Sequence, residues 1–459
     1  MLIEVPLRLP REALVLSKIL TTICLSLFLS SYAWAQTPKH YVFLVHGIGA
    51  SPSTFGKMTE TLKRESQGFD PHTDWQFINF AYQTGSATKD VAIFSKELSD
   101  YIAESFRNAG GLNPEDKFSL VMHSQGGLIG LNFLLKSFMG DSHYHPELKH
   151  HLDAFVTMGT PYWGAKIAIF ANRMMPILSY LRIPLSEKFG VEELKDMELA
   201  SDFTAQMRET LIDPKNQEVV RELTTQGRFL VFAGVTERLN LLAPFVTGKN
   251  RYEDDTAVPI PSSKLDFIYY KDPEFYNDYV TANEFSETHM VEAENNIVVN
   301  AFHASPFPQK SKFPGIAKVP DRCANISYRD CDHPTYPTLV EHLFKLQREP
   351  AFVRDLTSFA IDLKINLKGK SIDRKKMSIA FKGLTTGLKI GKDIELYNKV
   401  SRWSDEGDFR LYHTGYIDSK KTTSTVGRVE MIISAPGFKD RTIIVPVKSA
   451  QSTFIELNW

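Results

Sequence analysis

The chain has 459 residues, 43% of them hydrophobic, and a formal charge of −1. That is enough apolar material to bury a full core in two domains or more. Acids and bases are interspersed, and no basic stripe carries interleaved aromatics, so nucleic acid is excluded as an expected partner.

The first thirty-five residues differ in kind from the rest. Arg8, Arg11 and Lys18 precede the apolar run "ILTTICLSLFL", and "AWA" ends at Ala35. A basic start, a short apolar run and a small-x-small site describe an export signal removed after Ala35, spanning residues 1–35. The run is shorter than the roughly 20 residues a membrane-spanning helix needs. Export predicts a secreted or periplasmic protein. Cys24 then leaves with the signal, and Cys323 and Cys331 remain where disulfides persist. They are expected to pair, which removes on the order of 2–3 kcal/mol of unfolded-state entropy for so short a loop.

From residue 41 onward, short apolar runs alternate with amphipathic segments, the rhythm of a mostly parallel sheet covered on both faces. Strands are predicted in "YVFLVHG", "WQFINFAY", "FSLVMH", "LDAFVTMGTP", "RFLVFAGV" and "ANISYRDC". Helices are predicted to begin near Pro52, near Thr88 and at Gly126. The predicted fold class is α/β over residues 36–350. An insertion at about residues 164–250 breaks the rhythm, with helices predicted in "AKIAIFANRMMPILSYLRIPL" and "VEELKDMELASDFTAQMRETL". The first either packs on the core or caps a pocket. Over residues 356–459 the texture becomes alternating runs such as "FAIDLKINL", "MSIAFKGL", "RVEMIISAPGF", "RTIIVPVK" and "TFIELNW", which predicts an all-β, sandwich-like accessory domain.

The stretch "FSLVMHSQGGLIG" carries chemistry. A serine on a sharp strand-to-helix turn is pushed out at the top of a sheet, as in a nucleophile elbow. Ser124 has Gln125, Gly126 and Gly127 after it, so the chain can turn into a helix. Met122 stands where the elbow pattern wants glycine, and Gly130 is the expected gap for its side chain. A serine also needs a base and donors for the developing oxyanion. The N–H of Ile48 in "FLVHGIGAS" and that of Gln125 are the candidate donors.

With "FVTMGTPYWGA" the motifs form an ordered set. "HGIGAS", "HSQGG" and "MGTPYWG", about 75 and 35 residues apart, resemble the secreted lipases and esterases of the α/β-hydrolase superfamily over roughly residues 40–345. The resemblance implies a helical cap insertion and a triad in the order serine, acid, histidine. It implies a D-x-x-V acid in "YEDDTAVPIPSS", matched by Asp255, with Asp254 the alternative. For the histidine, His333 follows the predicted strand "ANISYRDC" on a loop the disulfide would pin. His289 in "FSETHMVEAENN" is the alternative and His303 a third candidate. His342 reads as a packing or surface residue.

The cluster His143, His145, His150 and His151 offers imidazoles, but it lies at the edge of the sheet opposite the strand C-termini, so no metal site is assigned. The reading implied by the resemblance is hydrolysis of carboxylic esters, with lipid acyl esters the expected class, through an acyl-serine and without a cofactor. Its partners are a lipid or small ester and, transiently, a membrane or lipid surface. Rival readings are an acyltransferase or thioesterase with the same triad, or a non-catalytic binding protein on a hydrolase scaffold.

Overall fold

A computed structural model describes residues 37–86, 88–166, 168, 190–224, 227–236, 253–272, 279–280, 285–305, 309–310, 314–348, 356–367, 372, 376–390, 399–404 and 407–459. The predicted export signal and almost all of the first insertion helix lie outside these residues.

The parallel rhythm read from the sequence is borne out. The first strands are β1 (Lys39–Val45), β2 (Asp74–Phe80), β3 (Lys117–His123), β4 (Leu152–Met158) and β5 (Phe229–Val235). Three short strands follow, β6 (Phe267–Lys271), β7 (Tyr279–Val280) and β8 (Ser286–Thr288), and then β9 (Asn296–Asn300). Strands β2, β1, β3, β4, β5 and β9 lie side by side in that order, every pairing parallel. The sixth strand is therefore "NIVVN". The predicted strand "ANISYRDC" is instead a loop that follows one 3-10 turn, Asp321–Cys323, and contains another, Tyr328–Asp330.

Alternation along the strands fills two cores. Phe43 and Val45 face α2 (Val91–Asn108) and α3 (Gln125–Phe138), burying Phe94, Leu98, Ile102, Leu128 and Leu131. Val42 and Leu44 face the other layer, where Met58 and Leu62 of α1 (Met58–Phe69) meet Leu339 and Val340 of a helix at Tyr336–Leu343. The second insertion segment breaks into α4 (Val191–Asp196) and α5 (Asp202–Ile212), followed by α6 (Gln217–Thr224).

The C-terminal region forms two facing sheets, but not from its own residues alone. Its strands are β10 (Ser358–Asn366), β11 (Ser378–Gly383), β12 (Leu388–Lys389), β13 (Lys399–Trp403), β14 (Phe409–Ile417), β15 (Val426–Ser434), β16 (Arg441–Lys448) and β17 (Ser452–Asn458). One sheet runs β12-β14-β10-β17-β6-β8 with β13 on β14, and the other runs β11-β15-β16-β7. Both take in strands from residues 267–288. Phe359, Ile361, Leu363 and Ile365 of β10 point between the sheets.

The opposite face of β10 and β14 carries charge that is not solvated. It packs on the insertion, where Arg208 meets Asp362 at 2.9 Å, Glu209 meets Lys364 at 2.6 Å, Asp202 meets Arg410 at 2.6 Å and Glu198 meets Arg402 at 2.7 Å. Each side of this seam presents both acids and bases. Glu253 adds a hub, accepting from the N–H and hydroxyl of both Thr357 and Ser358.

Candidate active site

Ser124 sits between β3 and α3 with φ 55° and ψ −126°, a strained conformation for a residue with a Cβ. The strain is held from both sides. Its N–H donates to Met158 O at 3.0 Å, and Gly127 N–H donates back to Ser124 O at 3.0 Å. The departure at Met122 is accommodated as the sequence suggested. A Cβ on Gly130 would lie 2.2 Å from Met122 Sδ, so the thioether occupies the room that a side chain on the helix would need.

The serine hydroxyl meets His303. Its Oγ lies 2.8 Å from His303 Nε2, and His303 Nδ1 lies 2.7 Å from Asp255 Oδ2. The other carboxylate oxygen, Oδ1, accepts from the N–H of Ala257 at 3.0 Å and of Val258 at 2.8 Å. With Asp255 acceptor-only, Nδ1 carries the proton and Nε2 is left to accept from the serine. The acid is 1% exposed and the histidine 14%, so the imidazole is the member a small molecule can reach. The parts stand at the C-terminal ends of the parallel strands: Ser124 after β3, the acid loop bonded to β5 through Thr236 N–H on Asp254 O, and His303 after β9.

Two glycines make this approach possible. A Cβ on Gly47 would fall 2.7 Å from Ser124 Cβ, so the turn after β1 brings the Gly47–Ile48 backbone against the serine. Gly159 of "MGTP" has φ +62°, and a Cβ there would fall 2.7 Å from Asp255 Oδ2 and 3.0 Å from His303 Nδ1. On the other side of Ser124, Gln125 begins α3, where the first N–H groups have no partner within the helix.

The structure does not bring His333 into this arrangement. Its Nε2–H donates to Gly315 O at 3.0 Å, and burial pushes its pKa down to about 4. The strand that made it attractive is absent, and Cys323, Tyr328 and Cys331 of its loop pack into the core with Met58, Leu62 and Leu339. His289 is largely exposed, 3.6 Å from Glu287, and touches neither Ser124 nor Asp255. His342 Nε2–H donates to Arg228 O at 3.1 Å. Asp254 is buried beside Asp255, accepts from Thr256 N–H at 2.9 Å and is raised to about 7, chiefly by burial. Cys323 and Cys331 form a disulfide.

His123 is a member of the site that sequence reasoning passed over. Its Nε2–H donates to the backbone carbonyl of His303 at 3.0 Å, and the two rings lie 4.7 Å apart. Burial, and then the neighbouring His303, push its pKa well below the ordinary value. It stays neutral and holds the loop without adding a second positive charge. The sequence signal for His303 was "NIVVNAFHAS", a short β-run followed by a histidine in the right chain order.

The other histidines disperse. His143 pairs with Asp141, His145 lies between Asp100 and Glu147, and His151 bonds Asp116 O. Among the described residues no group of three or more His, Cys, Asp or Glu is arranged to hold a metal, and no helix is long and apolar enough to cross a membrane.

Residues 35–244 match the model of a family described as "Putative serine esterase (DUF676)". Phospholipase PlaB from Legionella pneumophila is similar in structure, with a TM-score of 0.57 and 15% identity over 91% of this chain and 93% of that one. Its structure in complex with thio-NAD gives the same TM-score at 12% identity and the same coverage. The lipase BlEst2 from Bacillus licheniformis in its propeptide form aligns over 91% of this chain and 75% of that one, with a TM-score of 0.40 and 14% identity. No curated protein matches the sequence. The likeness to PlaB spans the parallel sheet and the C-terminal sheets together, and with the serine elbow at the end of β3 it gives this chain the α/β-hydrolase fold.

Proposed function

We propose that this protein hydrolyses carboxylic esters through an acyl-serine, with lipid acyl esters as the substrate class. Ser124 Oγ attacks the ester carbonyl while His303 Nε2 takes its proton. Asp255 fixes the imidazole tautomer and stabilises the imidazolium that forms. The N–H groups of Ile48 and Gln125 receive the oxyanion. His303 then protonates the leaving alkoxide, and water repeats the sequence to release the acid and restore Ser124.

The observation that carries this reading is the continuous chain from Ser124 Oγ through His303 to Asp255, at 2.8 and 2.7 Å. The serine esterase family match and the phospholipase likeness support the ester and lipid parts. The basic-apolar-"AWA" leader and the disulfide support export, which would bring the enzyme to lipid outside the cytoplasm.

A fluorophosphonate probe tests the chemistry and a panel of esters tests the class. The mature chain is expected to take up one probe at Ser124, and to cleave both p-nitrophenyl esters and vesicle phospholipid. Ser124→Ala is expected to lose labelling and hydrolysis together. A folded Ser124→Ala that keeps hydrolysing the ester would remove the proposal.

A further inference from the structure

Among the described residues, the insertion braces the elbow from outside the parallel sheet through the side chain of Glu193. Glu193, on α4, is fully buried. Its Oε1 accepts from Gly85 N–H at 2.7 Å, and its Oε2 accepts from the Gln125 side-chain amide at 3.2 Å. Gln125 is also fully buried, and its Oε1 lies 3.0 Å from the Tyr82 hydroxyl. That hydroxyl lies 2.8 Å from His46 O, and the Tyr82 ring stacks on His46 at 4.5 Å.

A contiguous polar path therefore joins the insertion, the loop after β2, the first residue of α3 and the turn after β1. The last two carry the N–H groups of Gln125 and Ile48. Gly190 lets the insertion come this close, since a Cβ there would lie 2.2 Å from Ser86 O and 2.7 Å from Glu193 Oε1.

Donors from two different segments converge on one buried carboxyl, an arrangement that a side chain with fewer acceptor atoms would leave partly unpaired. Burial raises the Glu193 carboxyl to about 7, while the Gly85 N–H, the Gln125 amide and the Ser86 N–H oppose that rise. Placing an acid here costs stability, yet no cation accompanies it in these contacts. Its partners are the elbow and the loop beside it.

We propose that Glu193 is a positioning residue that holds the oxyanion side of the nucleophile elbow through the Gln125 side chain, so that the insertion completes the active site of the hydrolase sheet. This rests on the Ser124 reading above. Glu193 touches neither the serine nor the histidine. It acts by fixing the residue whose backbone N–H would receive the oxyanion, and small displacements of such a donor are felt in the transition state more than in binding.

The test is a double-mutant cycle on the full mature chain, using Glu193→Ala, Gln125→Ala and the pair, with a p-nitrophenyl ester as substrate and fluorophosphonate titration to count active sites. Gln125→Ala keeps the backbone N–H and removes only the side chain. Glu193→Ala is expected to lower kcat by about tenfold to a hundredfold, within the range seen for losing an oxyanion donor, with KM within about twofold. The pair is expected to be no slower than Gln125→Ala, because interacting residues are non-additive. Glu193→Gln, which keeps an acceptor for Gly85, is expected to recover part of the loss. If Glu193→Ala does not fold, Glu193→Gln takes its place in the cycle. Wild-type kcat in a folded Glu193 variant, or losses that multiply in the pair, would overturn the inference. Failure of the wild type to take up the probe would instead overturn the Ser124 reading, so the two failures are distinct.

Discussion

Two histidine loops follow Asp255 along the chain, and they differ in what precedes them. His303 comes three residues after β9, a strand paired in register with β5, so the parallel sheet delivers it to the strand ends beside Ser124. His333 comes after 3-10 turns cross-linked by the Cys323–Cys331 disulfide, and its ring is spent on Gly315 O and packing. The more rigid loop is not the one at the site. A disulfide fixes a loop to itself, whereas a strand fixes a loop to the sheet, and only the sheet knows where the serine is.

The largest test of that contrast is the pair of histidine variants. His303→Ala is expected to reduce kcat/KM by on the order of 10^4-fold or more, as loss of a triad member does. His333→Ala is expected to stay active and to lose about 1–3 kcal/mol of stability, because Gly315 O loses its buried donor. Ester turnover with urea unfolding of each variant measures both, and an inactive, folded His333→Ala would reverse the assignment.

A second test concerns the charged seam. Arg208 and Asp362 are both buried, and the guanidinium also lies 5.1 Å from the Phe454 ring centre. Arg208→Ala is expected to cost about 3–5 kcal/mol, since it strands a buried carboxylate. Unfolding midpoints would settle this, and a loss below about 1 kcal/mol would mean that the seam is solvated.

The smallest expected effect is at the elbow. Gly130→Ala should cost about 1–3 kcal/mol by overpacking against Met122. The same change in a Met122→Ala background should cost much less. Equal losses in both backgrounds would break the link between the two positions.

These contrasts bear on what the sequence made legible. Strands β1, β3, β4 and β5 each present a long apolar run, β2 alternates, and Ser124 is announced by the glycines after it, so all could be read directly. β9 has five residues with an asparagine at each end, too short to outweigh a longer, mixed run that resembled a strand and preceded a more prominent histidine. The C-terminal strands were readable by alternation, but nothing in it marks the face of Asp362, Lys364 and Arg410 as covered. Alternation reports which side of a strand a residue takes, not what covers that side. The partners lie about 150 to 210 residues earlier in the chain, on helices whose own charges look equally ordinary.

The position of β17 has a consequence for how the chain reaches its native state. It lies between β10 and β6, pairing parallel with both, so residues 452–456 hydrogen-bond to residues 267–271. The six-stranded sheet can close once β9 has formed, but β6 must wait for nearly two hundred further residues before its neighbour arrives. Such distant pairing is slow, because loop closure precedes any contact that rewards it. Until then β6 and β10 present unpaired edges, the kind of surface on which chains join one another. A protein that emerges from one end first therefore completes its hydrolase core early and its sandwich last, and the interval between the two is when it is most exposed to aggregation.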